Sequence, residues 1–355
     1  MGIILKKRLK RPGIYHHFIP VVSILLSLGI GAILFLVSGV NPVIAYIEIF
    51  KGSFGSLYNF SEVLVRATPL IFCGLAVGIA GKMQLWNIGA EGQLVMGGIT
   101  GTGVGLFIAP HFPAFLGIFL MLIAGFIGGG LWGLLPGILR ARWRVSEIIT
   151  TLMLNYVAII WMEHLYFGPW RDPEGRGFPG TAVLAESLQL PRFWGTRIHA
   201  GLFIALAFAL VIMWIFSFTR WGYKLRVIGE NAKAAGYAGI PINRNIILVM
   251  FLSGALAGLS GIIETAGIHY RLQQGLAVGS GYVGIIIAWL SGLNPLATIA
   301  VSILLGALMT GGDQIQIVMH VPSSIGLVLE AIILFCVIGG KVFSNYTLSF
   351  RRGNP

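Results

Sequence analysis

The sequence predicts an all-α polytopic membrane protein with eight to ten transmembrane helices and both termini cytoplasmic. Three observations carry that class. Of 355 residues, 56% are hydrophobic and 10% charged, where a soluble domain carries about 25% charged residues. The apolar residues gather into runs near the length of about 20 that crosses a bilayer. Fifty glycines against fifteen prolines, with a mean hydropathy of +0.88, fit neither collagen nor a disordered linker. They fit membrane helices packed closely enough for backbones to touch. The net charge of +12 is not a nucleic-acid signature, because the basic residues fall in short clusters between apolar runs. Cys73 and Cys336 both lie inside apolar runs, so neither a disulfide framework nor a metal cluster is read from them.

In chain order, residues 1–17 are a basic cytoplasmic segment carrying Lys6, Lys7, Arg8, Lys10 and Arg11. The apolar run after it lacks a convincing small-residue cleavage site and is long enough to span, so it reads as an uncleaved first helix. Span candidates are 18–38, 63–80, 87–109, 114–139, 146–167, 198–218, 245–267, 277–292, 295–311 and 322–340. They compose one transmembrane domain, 18–340, followed by a cytoplasmic tail, 341–355. The second, eighth and ninth runs are short or interrupted, which sets the range of eight to ten.

Ten spans with the N-terminus inside place 1–17, 81–86, 140–145, 219–244 and the tail in the cytoplasm. Those segments hold 17 of the 24 Lys and Arg residues, as the positive-inside rule requires. Losing 277–292 and 295–311 together preserves the parity. The longest outside segment, 168–197, balances Asp172, Glu174 and Glu186 against Arg171, Arg176, Arg192 and Arg197. A short surface helix is expected near Thr181 to Leu188. A loop of this length either docks an extracytoplasmic partner or simply connects.

Glycine marks the packing faces. Gly97, Gly101 and Gly105 repeat at four, as do Gly125, Gly129, Gly133 and Gly137. The seventh span carries Ser253, Ala257, Gly261 and Thr265 on one stripe, with Gly254 and Gly258 on the next. Such stripes admit a neighbouring backbone. Glu264, near the outer end of that span, is expected to pair with Arg271. Two hairpins share a layout: one runs in from about Val63, breaks at 81–86 and runs out, and the other runs in from about Ala277 and breaks at 291–295. Paired short segments broken by Gly or Pro point to a transport pathway.

The polar knot of the chain is Gly81 to Gly98, with Lys82, Gln84, Asn87, Glu91 and Gln93 at or just inside the apolar boundary. Asn87 and Glu91, four apart, share a face if both are helical. An ionisable residue within a membrane helix reads by default as functional. The competing reading holds Glu91 in the headgroup region, against Lys82 or backbone. Asn155 in the fifth span reads either as an interhelical hydrogen bond or as a substrate contact. These four, Asn87, Glu91, Gln93 and Asn155, are the candidates for a substrate pathway.

The longest cytoplasmic connection, 219–244, holds a second pattern. Asn231 suits a helix cap, and Ala232, Ala234, Ala235 and Ala238 favour a helix. Gly236 and Gly239 leave bare backbone, and Pro241 stops it. A small-faced helix on a cytoplasmic loop suits rigid docking to a soluble partner; the alternative is a connection made basic by topology alone.

These two stretches carry a resemblance. Asn87 to Gln93, NIGAEGQ, resembles the signature of membrane subunits of ATP-binding-cassette importers for nucleosides and simple sugars. Gly229 to Ile240, GENAKAAGYAGI, resembles their cytoplasmic coupling segment, which has relatives across the wider permease group that also serves ribose and branched-chain amino acids. The resemblance runs from about residue 60 to 340, and the first motif points to the nucleoside branch. It implies a prokaryotic cytoplasmic (inner) membrane location and three partners. These are a second permease, a cytoplasmic ATPase coupled through Gly229, Asn231, Ala235, Gly236 and Gly239, and an extracytoplasmic substrate-binding lipoprotein. It implies no cofactor bound by this chain, with ATP and Mg on the ATPase. The sequence itself lacks G-x-x-x-x-G-K-[ST]. For a neutral nucleoside, Asn87, Gln93 and Asn155 offer hydrogen bonds. Trp86, Tyr156, Trp161, Tyr282 and Trp289 offer flat apolar faces.

Two other classes stand beside it. An ion-coupled secondary transporter needs an intramembrane group that titrates, for which Glu91 and Glu264 are the candidates. It does not need a structured 219–244. A membrane-embedded enzyme needs clustered acids or histidines, whereas the seven histidines are scattered and mostly at span ends.

Overall fold

The computed structural model describes residues 2–7, 15–175, 177–322, 346–351 and scattered positions between 325 and 340. The chain forms two compact units: one holds the described residues up to Phe60 and from Ala307 on, the other Ser61–Gly306.

In the first unit α1 (Tyr15–Val37) is followed by α2 (Pro42–Phe54), with a bend of 112° between Leu25–Val37 and Pro42–Phe54. Helix α2 falls between the expected spans 18–38 and 63–80, although its start signal is present in the sequence. Asn41 caps it by accepting from the Val43 N–H at 2.9 Å, and Pro42 occupies the first turn, where a missing N–H costs nothing. Phe35, Ala45 and Ile315 form the heart of this unit's core. An antiparallel pair, β1 (Gly2–Lys7) with β2 (Tyr346–Arg351), departs from the all-α expectation.

The second unit holds α3 (Leu57–Lys82) from Ser61 on, and then α4 (Ala90–Phe107), α5 (Ala114–Trp143), α6 (Glu147–Phe167) and α7 (Ala200–Phe218). There follow α8 (Arg220–Glu230), α9 (Ala232–Tyr237), α10 (Ile242–Glu264), α11 (Ser280–Leu290) and α12 (Pro295–Met319), the last as far as Gly306. Among the described residues, six helices are long and apolar enough to cross a membrane, or seven if the bent α1–α2 pair is one span. The expected span 322–340 lies largely outside the described residues. At eleven residues, α11 reaches about 16 Å at 1.5 Å per residue, roughly half the hydrocarbon thickness.

The glycine stripes are where helices meet. A Cβ on Gly129 would lie 2.6 Å from Gly258 Cα, and one on Gly254 would lie 3.0 Å from Gly133 Cα, so α5 and α10 cross backbone to backbone. On its other side α10 meets α4, where Gly97 faces the Gly258 backbone and Gly261 faces the Leu94 carbonyl. No residue larger than glycine fits these crossings without moving a helix.

Connections between the helices of the second unit meet one another in two groups. The 81–86 turn meets both α8, through Lys82 against Gly229, and the α5–α6 junction, where Trp86 N–H points to Glu147, itself paired with Arg140. Elsewhere, the 168–199 loop lies along the end of α10: Thr181 donates to the Leu272 carbonyl, Leu184 to Tyr270 and Leu190 to Ala266. The surface helix expected at 181–188 reduces to one 3₁₀ turn, Glu186–Leu188, because Leu184 and Leu188 are buried and the strand-like segment before the turn bonds outward to 270–272. Nor does Glu264 pair with Arg271. It faces His269 at 3.8 Å, while Arg271 Nε donates to Gln273 and Arg197 pairs with Glu62 at 2.9 Å.

Candidate functional site

The polar knot folds into a bonded cluster inside the second unit. Helix α4 starts at Ala90, so Asn87 belongs to the preceding turn and does not share a helical face with Glu91. The turn places it better for bonding. Asn87 Nδ2 donates to Gln93 Oε1 and to Ser253 Oγ, both at 2.8 Å, while Oδ1 accepts from the Gly89 N–H and from Gln93 Nε2 at 3.0 and 3.1 Å. That uses both donors and both acceptor sites of the amide. Ser253 Oγ in turn donates its hydrogen bond to the Ala76 carbonyl. One side chain thus joins the start of α4 to α10 and, through Ser253, to α3.

Asn155 makes the second tie. Its Oδ1 accepts from the Gly92 N–H at 2.8 Å, and its Nδ2 donates to the Ile88 carbonyl at 2.9 Å and to Tyr282 Oη at 3.2 Å. Gly92 is glycine for a steric reason: a Cβ there would sit 2.7 Å from Asn155 Cα. Helix α6 therefore seats directly on the first turn of α4.

Glu91 makes the third. Its two carboxylate oxygens accept from the Gly279 and Gly281 N–H groups at 2.8 and 2.7 Å. Those amides belong to the unpaired first turn of α11, where a carboxylate is favoured by both hydrogen bonding and the helix dipole. Glu91 also sits in the first turn of its own helix. Gly279 has φ +94°, and a Cβ on Gly281 would collide with the Glu91 backbone. Of the two anchors the sequence offered for Glu91, backbone is the one found. Lys82 is turned away, its ammonium 5.2 Å from the centre of the Phe216 ring.

Asn87, Glu91, Gln93 and Asn155 are each at most 1% exposed. The structure brings all four together with Ser253, with the Gly279 and Gly281 amides, and with the hydroxyl of Tyr282, a residue expected to offer only its flat apolar face. Ser253 had been placed on a packing stripe, and backbone donors leave no side-chain signature. The only hint of those backbone donors is Gly279-Ser280-Gly281 opening an apolar run.

The aromatic residues sort differently. Trp86 and Trp289 stack with centroids 4.9 Å apart and planes at 25°, and Trp161 meets Trp132 edge-on at 6.2 Å. Trp86 and Tyr156 stay substantially exposed in the isolated chain. The two hairpin breaks are neighbours: Trp86 stacks on Trp289, and a Cβ on Gly81 would lie 2.8 Å from Leu293 Cδ2.

The coupling candidates fall on two sides of a seated pair of helices. Thr219 Oγ1 caps α8 by accepting from Gly222 N–H, and Trp221 Nε1 donates to Asn245 Oδ1 at 3.0 Å. Leu225 and Ile228 are buried beneath α8. Asn231 Oδ1 caps α9 through the Ala234 N–H at 3.1 Å. Ala235 faces inward, while Gly236, Tyr237 and Gly239 face out, with Tyr237 95% exposed and Gly239 at φ +73°. A Cβ on Gly236 would have its nearest neighbour at 3.7 Å. Gly229 points the other way, against the Lys82 carbonyl.

Comparison with known proteins adds the family. Residues 59–338 match the family described as branched-chain amino acid transport system / permease component. The chain is 36% identical to a guanosine ABC transporter permease protein of Bacillus subtilis (strain 168), across 95% of this chain and 96% of that one. It is 34% identical to a glucose ABC transporter permease protein of Haloferax volcanii, across 94% and 91%. A nucleoside ABC transporter permease protein of Lactococcus lactis is 30% identical, across 90% of each chain.

Proposed function

The chain belongs to the branched-chain amino acid transport system / permease component family and is the permease component of an ATP-binding-cassette importer; from that premise we propose that its cargo is a nucleoside. The observation that carries the cargo is the similarity, over nearly the whole chain, to permeases named for guanosine and nucleosides. A ribose-like sugar is the second reading, favoured by the similarity to a permease named for glucose.

In this proposal the chain crosses the cytoplasmic membrane of a prokaryote in eight to ten spans with both termini inside, and forms half of the translocation path with a second permease. An extracytoplasmic binding lipoprotein delivers cargo, and the 168–197 loop is the surface offered to it. A separate ATPase hydrolyses Mg-bound ATP and docks at 219–244. The exposed edge around Gly236, Tyr237 and Gly239 supports that docking, because bare backbone on a firmly seated helix makes a rigid contact.

The roles of Asn87, Glu91, Gln93 and Asn155 follow from their bonding. Each is buried and paired within the chain, so in this conformation they frame the path and do not touch its contents. A path shared with a second subunit is walled by groups that a single chain leaves exposed, such as Trp86 and Tyr156. Alternating access then moves helices tied by the knot as one body.

The test is uptake by proteoliposomes holding the complete transporter, with radiolabelled guanosine. The expected result is ATP-dependent uptake that unlabelled nucleosides suppress and glucose or ribose leave intact. Uptake of sugar alone would replace the nucleoside with the second reading.

A further inference from the structure

Gly229 lies in the segment proposed to dock the ATPase, yet its α-carbon faces inward. Any Cβ there would collide with the Lys82 carbonyl oxygen and lie 3.4 Å from Met83 Cα. Lys82 ends α3, and the turn that follows is tightly wound. Met83 and Leu85 both donate to the Ala80 carbonyl, and Gln84 sits at φ +58°. Five residues beyond Lys82 the chain reaches Asn87, the most fully bonded side chain of the knot. Along the way Trp86 donates its N–H toward Glu147 at 3.5 Å, and Glu147 is held by Arg140 at 3.2 Å. Trp86 also stacks on Trp289, and Gly81 packs on Leu293 in the other hairpin break.

Helix α8 is held at its start and along its underside around this contact. It is pinned at its start by Trp221 on Asn245, and by Gly222 packed on the Phe216 backbone. Its underside is closed by Leu225 and Ile228. Displacement of α9 and α8 by a docked partner therefore arrives at the 81–86 turn as backbone pressing on backbone, with no flexible side chain to absorb it. Packed interfaces of this kind shift between discrete arrangements and do not deform smoothly.

We propose that Gly229 is a positioning residue for coupling: it passes movement of the ATPase-docking segment to the 81–86 turn, and from there to the Asn87–Gln93 knot and the 291–294 turn together. The proposal rests on the docking reading of 219–244. It assigns Gly229 and Gly236 opposite tasks within one motif, the first transmitting inward and the second contacting the partner.

The experiment uses the assembled transporter in proteoliposomes, measuring ATPase association, ATP hydrolysis and uptake. Gly229→Ala is expected to keep the ATPase bound and hydrolysing while uptake per ATP falls about tenfold, the scale of a typical coupling free energy. Gly236→Trp is expected to lose the ATPase itself. A spin label on Gln84→Cys, with Gly229 intact, is expected to change its spectrum when ATP and vanadate are added. Wild-type uptake per ATP in Gly229→Ala, or a Gln84 label indifferent to ATP, overturns the relay. If Gly229→Ala does not assemble, the Gln84 label decides alone. Absence of any ATPase from the unaltered complex overturns the docking reading, a result distinct from failure of the relay.

Discussion

Glu91 spends both carboxylate oxygens on backbone amides 188 and 190 positions away in sequence. Glu91→Gln keeps the shape but turns one acceptor into an NH₂ group facing an N–H donor. One buried amide of α11 loses its partner, at a cost of about 1–3 kcal/mol. The expected outcome is a lower melting temperature of the purified transporter together with reduced uptake. Wild-type stability and transport would remove Glu91 from the frame. Asn87→Ala strands both ends of Gln93 and leaves Ser253 Oγ without its donor, so its loss is expected to be at least as large, checked by the same melting curves. At this scale the sequence singled out side chains that the structure finds buried and bonded in one cluster, because a polar group in an apolar run draws attention by its cost. It did not name their partners. Gly279 and Gly281 act through N–H groups that every residue but proline possesses, and only the fold shows which ones lack a partner.

Between elements, glycine decides the spacing. The crossing of α5 and α10 rests on Gly129 and Gly133 against Gly254 and Gly258. Gly129→Leu drives a branched side chain into the Gly254 carbonyl, and the helices must separate. The expected result is failure to accumulate folded protein, read as loss of a monodisperse peak in detergent. Gly78→Ala meets nothing within 4 Å and is expected to stay within about 0.5 kcal/mol of wild type. The four-residue repeats made these crossings readable, since a small residue every turn has few uses except close approach. The helices α2 and α11 were harder. The cap of α2 at Asn41 was present but sat outside a spanning-length run, and α11 is too short for length to identify it. The Gly229 contact was hidden for a different reason: small residues in a loop read as exposed, and nothing local indicates that one of them meets backbone 147 positions earlier in the chain.

For the molecule as a whole, segments that the charge pattern assigns to one side of the membrane are found in contact. Gly229 meets Lys82, Arg140 meets Glu147 beside Trp86, and the 168–199 loop meets 266–272. The helical, membrane-spanning class was legible because long apolar runs report it directly, whereas cargo was not, since the polar residues of the knot are consumed in holding helices. Specificity in a system fed by a binding protein is expected to reside on that protein and on exposed walls such as Trp86. Trp86→Ala is therefore expected to alter guanosine uptake more than ATPase association, measured side by side. The central claim is that a separate ATPase drives this chain. Its most direct test is to purify the tagged protein from its native membrane in mild detergent and identify what accompanies it by mass spectrometry. The account predicts a P-loop ATPase and a second permease in stoichiometric amounts. Recovery of the chain alone, or only with itself, would contradict it.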